Sequence, residues 1–387
     1  MKTTFDILII GAGVIGLALA RELRRRGLRR ICMIERGSVG REASYAAAGM
    51  LAPNAECEVV DDFHRFCDES RRSYPQFAEE LLAETCIDIE LDRSGTLYAA
   101  FSEADRAHLA LRYARQQAAG IPVEKLSADE TLELEPCLAT NINESLYFPT
   151  DWQVENRRLL AALAKFAADN GITIIDRRAV DSLIVENGSV KGAVAGGEPI
   201  FAGSTVLATG AWTSLIKIGN SPMPLNVRPI KGQMISFQPA ERVFKHVIYS
   251  PRGYLVPRAD GRILAGATVE DVGFDSGITL SATESLRAAA VEIAPCLKDV
   301  DIAETWAGLR PFAADGLPVI GKIGELDGVF VATAHYRNGI LLAPLTAKIL
   351  AESIANEADS EYFTLFGPHR FAGERSAARA NDNSVRL

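Results

Sequence analysis

The apolar run Phe5-Asp6-Ile7-Leu8-Ile9-Ile10 passes directly into Gly11-Ala12-Gly13-Val14-Ile15-Gly16, and this junction constrains the fold more than any other part of the 387 residues. A β-rich stretch with almost no polar positions reads as a strand buried on both faces. From Val14 to Arg26 follow good helix formers, with Ile15, Leu17, Leu19 and Leu23 among the apolar positions and Gly27 as the stop. Ile31-Cys32-Met33-Ile34 then forms a second apolar run that ends in Glu35. Strand, glycine turn, helix and strand make a βαβ unit of the dinucleotide-binding kind. In it Gly11 makes the tight turn, Gly13 lets the backbone approach a pyrophosphate, and Gly16 lets the helix lie close on the strand. The helix N-terminus aims free N–H groups and its positive dipole end at that pyrophosphate. Glu35 can accept from both ribose hydroxyls and would repel a 2′-phosphate, which favours NAD or FAD over NADP.

The chain has the length of two domains at roughly 150 residues each, or of one large domain with an insertion. Hydrophobic residues make up 48% and charged residues 24%, the proportions of an ordinary globular protein. Forty-one Lys and Arg against fifty Asp and Glu give a net charge of −9, which argues against a nucleic-acid partner. Cys32, Cys57, Cys67, Cys86, Cys137 and Cys296 form no CxxC pair and no zinc spacing, so a reducing, cytoplasmic setting is expected. Asp6 and the glycines interrupt the N-terminal apolar run, so it is not read as a secretory signal, and no stretch has the ~18 to 20 apolar residues of a membrane span. The arginine run from Arg21 to Arg30 reads as a solvated helix end that complements the dipole. Phe371 to Leu387 reads as a disordered tail.

Further residues decide between nicotinamide and flavin. The small residues of Arg41-Glu42-Ala43-Ser44-Tyr45-Ala46-Ala47-Ala48-Gly49-Met50-Leu51 would let backbone pass close to a large planar group, although a plain helix fits them too. Ser204 to Trp212 reads as an apolar strand ending in Ala208-Thr209-Gly210, a turn that commonly returns flavoprotein chains to the dinucleotide. Val329 to Ala334 is another buried strand, followed by His335-Tyr336-Arg337-Asn338-Gly339-Ile340 and a helical run from Leu341 to Asn356. A helix starting near Gly339 would set its dipole against the flavin pyrimidine, which becomes negative on reduction.

On these residues the sequence resembles the D-amino acid oxidase superfamily of FAD-dependent oxidoreductases, and within it the glycine oxidases of thiamine biosynthesis, from about Phe5 to Phe366. The most specific pieces are Ala46 to Leu51 with Ala55-Glu56-Cys57-Glu58, Gly253 to Arg258, Gly266-Ala267-Thr268, Trp306 to Pro311, and Tyr336 to Pro344. The resemblance implies an α/β, Rossmann-like FAD-binding domain built from discontinuous segments (1–85, 150–220 and 300–370). With it comes an α+β substrate domain on an antiparallel sheet (86–149 and 221–299). It implies non-covalent FAD, since no cysteine stands between Gly308 and Asp315, held by Gly11, Ala12, Gly13, Val14, Ile15, Gly16, Glu35, Arg36, Ala43, Ser44, Ala48, Gly49, Met50, Val180, Thr209, Gly210, Trp212, Arg337, Asn338, Gly339, Ile340 and Leu341.

For chemistry, the resemblance implies oxidation of glycine, sarcosine and small D-amino acids to an imine and then a 2-oxo acid, with molecular oxygen reduced to hydrogen peroxide. Arg310 is then the carboxylate clamp, placed by Gly308 and Pro311 in a stiff turn between domain segments. Tyr254 adds a hydroxyl to the same carboxylate, Arg337 lies at the flavin–substrate edge, and Met50 and Val269 border the substrate. Val269 stands where a compared glycine oxidase has methionine, and if it lines the pocket the shorter side chain leaves more room and weakens strict preference for glycine. No dedicated general base is expected, His335 is a flavin-side residue, and Cys57 is a buried thiol. Thiazole synthase is the implied protein partner and a homotetramer the implied assembly. The alternative is a D-amino acid dehydrogenase that passes electrons to a quinone.

Overall fold

A computed structural model describes residues 4–56, 58–324, 326–355 and 358–371. Cys57 and the tail beyond Phe371 lie outside the described residues; Phe371 itself ends the short turn Pro368–Phe371.

Among the described residues the first sheet has nine strands. Thr4–Ile10 lies between Ile31–Ile34 and Glu198–Leu207, parallel to both, and Val329–Thr333 continues the parallel set beyond Glu198–Leu207. The registers pair Ile10 with Ile34 and with Leu207, and Leu207 with Val331. Four distant pieces of sequence therefore end on one line, and a cleft opens at their carboxyl ends, where open α/β sheets bind ligands. Val180–Glu186 and Ser189–Ala195 form an antiparallel meander along the first half of Glu198–Leu207. The helices Val14–Arg25, Asp62–Thr85, Asn156–Asp169 and Gly339–Ile354 bury their apolar residues in one core on this sheet.

The first helix approaches closely because Gly16 has no side chain: a Cβ there would collide with the Gly11 carbonyl oxygen. Arg21 departs from the solvated-run expectation. It faces the Asp62–Thr85 helix, is buried, and pairs with Glu80 at 2.9 Å and Glu84 at 2.6 Å.

The second sheet has, among the described residues, eight strands in the order Ile302–Ala313, Val227–Phe237, Ile263–Gly266, Gly253–Pro257, Val247–Ser250, Thr96–Ala100, Glu144–Phe148, Glu124–Ser127. All neighbours are antiparallel except the Val247–Ser250 and Thr96–Ala100 pair. Leu280–Ile293 covers one face with an apolar core, and the other face meets the first domain through Met234, Tyr254 and Trp306 packed near Ala48 and Met50.

This sheet moves one boundary. Ile302–Ala313, grouped by sequence with the nucleotide segments, pairs along Val227–Phe237 from Val227↔Ala313 to Phe237↔Ile302. Arg310 thus sits in a long strand rather than in a turn. Pro311 is tolerated because this strand is the sheet edge, where a missing N–H breaks no ladder.

Candidate active site

A cavity of about 610 Å³ opens over the strand ends of the first sheet. Gly11, Gly13, Val14, Ile15, Glu35, Arg36, Ala43, Ser44, Val180, Thr209, Gly210, Trp212, Arg337, Gly339 and Ile340 line it, each at a position singled out from sequence. Gly11 has φ +105°, and a Cβ there would overlap the Ala208 carbonyl, so both the conformation and the space demand glycine. Glu35 is fixed by the turn it serves: its carboxylate accepts from Ala12 N at 2.8 Å and Gly37 N at 2.9 Å. Arg36 lies over the Trp212 ring at 4.2 Å and closes one side.

Two helix N-termini reach the cavity, and neither Gly13 nor Asn338 caps its helix with a side-chain hydrogen bond. Ser44 Oγ accepts from Val14 N at 3.1 Å. Gly16 and Leu341 are buried beneath the cavity wall rather than in it. The glycine cradle, the fixed acid at the strand end and the two helix N-termini fit a dinucleotide of FAD size. Motif reading missed Ala179, Leu215 and Asn220 in the wall, because no local pattern marks them.

A smaller space of about 70 Å³ shares Ala43, Ala47, Tyr336, Arg337 and Ile340 with the large cavity. Ala46, Ala48, Gly49, Met50, Glu56, Gly232, Met234, Tyr254, Gly308 and Arg310 complete its lining. Its floor is pinned: buried Arg258 donates to Ala48 O at 2.8 Å and Val154 O at 2.8 Å, and Gly49 (φ +71°) has no room for a Cβ against Val154 O. Gly308 admits the short helix Ala43–Ala46, where a Cβ would strike Ala46, and Trp306 Nε1 donates to Ala46 O at 3.0 Å.

Arg310 lies half-buried on this sheet face, in the space that Gly232 vacates. Its Nη1 donates to Thr268 O at 3.1 Å, and no carboxylate among the described residues lies within ion-pair distance of it. Burial lowers the guanidinium pKa and the Tyr254 hydroxyl beside it works the other way; the net direction is down. Tyr254 is buried, its hydroxyl donates to Met234 Sδ at 3.7 Å, and burial raises its pKa, so it stays a protonated donor. Tyr249 stacks beside it with centroids 6.2 Å apart, and Arg337 Nη2 donates to the Tyr249 hydroxyl at 3.1 Å.

The loop carrying Arg337 is bent by Ala334 at φ 56° and Tyr336 at φ 47°, non-glycine residues in the left-handed region. Tyr336 N donates to Pro311 O at 3.0 Å and Asn338 N to His335 O at 2.8 Å, which holds the bend. His335 lines the large cavity but is buried at 4% exposure against Thr346, and burial pushes its pKa down to about 3, so the ring is neutral.

Val269 is placed differently from the sequence expectation. It is 37% exposed and absent from the lining of the small cavity. Among the described residues no cluster of His, Cys, Asp and Glu could hold a metal ion, and no helix is long and apolar enough to cross a membrane.

The chain matches the FAD dependent oxidoreductase family, DAO, over residues 6–353. It is 33% identical to the glycine oxidase of Geobacillus kaustophilus over 378 residues, 97% of this chain and 99% of that protein. It is 34% identical to the bifunctional protein ThiO/ThiG of Synechocystis over 376 residues, 96% of this chain and 55% of that protein. The crystal structure of glycine oxidase from Geobacillus kaustophilus superposes with a TM-score of 0.89 at 32% identity, covering 95% of this chain and 98% of the other.

Proposed function

Since the chain belongs to the FAD dependent oxidoreductase family, we propose that it oxidises glycine and related small amines, sarcosine and small D-amino acids among them, with oxygen as acceptor. The products are the imine, which hydrolyses to a 2-oxo acid and ammonia or amine, and hydrogen peroxide. The observation that carries this reading is Arg310: a guanidinium with no carboxylate partner among the described residues, facing a space of about 70 Å³ that adjoins the FAD cleft. Its planar fork takes a carboxylate through two charge-assisted hydrogen bonds.

In this reading Tyr254 donates its hydroxyl to the same carboxylate, while the space of about 70 Å³ admits a short side chain only. FAD supplies the acceptor for the α-hydrogen and its electron pair. Glu35 and the two glycine-rich helix starts hold the dinucleotide, and the Gly339 helix dipole offsets negative charge gathered near its N-terminus. Neutral His335 stays out of proton transfer, and this reading needs no dedicated base beyond an amine that binds deprotonated.

Cytoplasmic location, a homotetramer and hand-over of the imine of glycine to a thiazole synthase belong to the same proposal. The hand-over draws support from the Synechocystis relative, in which a region like this chain is fused to a second functional part.

The test is a comparison of kcat/KM for glycine, sarcosine, D-alanine and D-proline, with oxygen against a soluble quinone as acceptor and peroxide measured directly. Glycine or sarcosine turnover with stoichiometric peroxide supports the reading. Turnover with the quinone alone would replace it with a dehydrogenase.

A further inference from the structure

We propose that Glu56 makes the enzyme selective for amines bearing one carboxylate by neutralising Arg337, so that Arg310 is left as the single unmatched cation in the substrate space. The inference rests on the amine-oxidase reading above. Among the described residues, three side chains with formal charge line that space: Arg310, Arg337 and Glu56. Glu56 Oε1 lies 3.6 Å from Arg337 Nη2, with the two side chains 17% and 28% exposed. Another bond of Arg337 is already committed to the Tyr249 hydroxyl. Burial works against the charged form of Arg337, yet Glu56 and the neighbouring tyrosine hydroxyls outweigh it and hold its pKa above the ordinary value.

Glu56 is anchored more firmly than a surface ion pair needs. It ends the four-residue helix Pro53–Glu56, whose Asn54 N and Ala55 N donate to buried Asp151 at 3.2 and 2.7 Å. From the other side, Arg112 Nη1 donates to Ala55 O at 2.8 Å and Gln116 Nε2 to Asn54 O at 2.7 Å. These bonds fix the backbone from which Glu56 projects, so its carboxylate starts from a rigid base, and its charge acts in a site screened less than the surface.

The charge balance then selects the substrate. An amine with one carboxylate and a neutral nitrogen cancels the net single positive charge. A second carboxylate, as in iminodiacetate, would meet an arginine already paired and a glutamate of its own sign, which costs affinity.

The experiment uses the FAD-loaded protein. Acetate and malonate are titrated at constant ionic strength and read by the flavin absorbance change, and kcat/KM is measured for glycine and iminodiacetate. Wild type is expected to prefer acetate and glycine, and Glu56→Gln to shift both ratios toward the dicarboxylate by about tenfold or more. The double variant Glu56→Gln with Arg337→Gln restores a single positive charge and is expected to restore the preference for acetate, a rescue that a purely structural role would not give. If the ratios in Glu56→Gln stay within threefold of wild type, or the double variant behaves like the single one, the proposal is overturned. If no amine reduces the wild-type flavin, the amine-oxidase reading fails by itself, while the acetate and malonate titrations still decide the role of Glu56.

Discussion

Replacing Gly232 by alanine should displace Arg310 without removing it, which separates the position of the charge from its presence. A Cβ at 232 would fall on the guanidinium itself, overlapping it by about 1 Å relative to the ~3.5 Å of a relaxed contact. Backbone does not stand in the way: the contacted atoms are the far end of a side chain, and Gly232 lacks the left-handed φ that would strain an alanine. The guanidinium must therefore retreat and lose its 3.1 Å bond to Thr268 O. A misplacement of ~1 Å in a substrate-holding group costs about a hundredfold in rate. Folding should not suffer, since glycine to alanine in a permissive strand conformation stabilises by about 0.4–1 kcal/mol. The assay is kcat/KM for glycine beside FAD content and Tm, with sodium acetate as a binding probe. The expected result is a fall of about two orders of magnitude in kcat/KM with full FAD content and an unchanged or higher Tm. A variant within threefold of wild type would refute the placement of the substrate carboxylate on Arg310.

Arg310→Met removes two charge-assisted hydrogen bonds, so kcat/KM for glycine should drop about 10²- to 10⁴-fold, while Tm holds or rises because a half-buried charge without a carboxylate partner is gone. Tyr254→Phe loses one hydroxyl that meets the Met234 thioether and the Arg310 guanidinium, so steady-state kinetics should show KM raised about 3- to 10-fold with the fold intact. His335 has a folded pKa near 3 against 6.5 in the unfolded chain. Above 6.5 it is neutral in both states and costs nothing; as pH falls from 6.5 toward 3, only the unfolded chain takes up its proton and stability is lost. His335→Gln should therefore remove about 2 kcal/mol of the stability loss between neutral pH and roughly pH 5, seen as a flatter acid limb in urea unfolding.

The nucleotide half of the molecule was legible because its signals are local. Gly11, Gly13, Gly16 and Glu35 act within one βαβ unit, and their spacing is the mechanism. Arg310 was legible as a residue but not as a place. Gly308 and Pro311 look like turn formers, and only the non-local pairing with Val227–Phe237 makes them parts of an edge strand. Glu56 escaped assignment for a similar reason: its significance depends on meeting Arg337, and a four-residue helix carries no periodicity to announce it. Val269 shows the reverse error, since its neighbours Gly266 and Thr268 meet Tyr254 and Arg310 while its own side chain, 37% exposed, stays out of the lining of the small space. Arg21 looked solvated because the helix it faces, Asp62–Thr85, lies far along the chain.

The most direct measurement is anaerobic mixing of the FAD-loaded protein with glycine, following flavin absorbance near about 450 nm, then admitting air and assaying peroxide. Bleaching by glycine, followed by recovery of the oxidised spectrum with one peroxide per flavin, is the outcome expected of this site. A flavin that stays oxidised with glycine, sarcosine and small D-amino acids alike would contradict it.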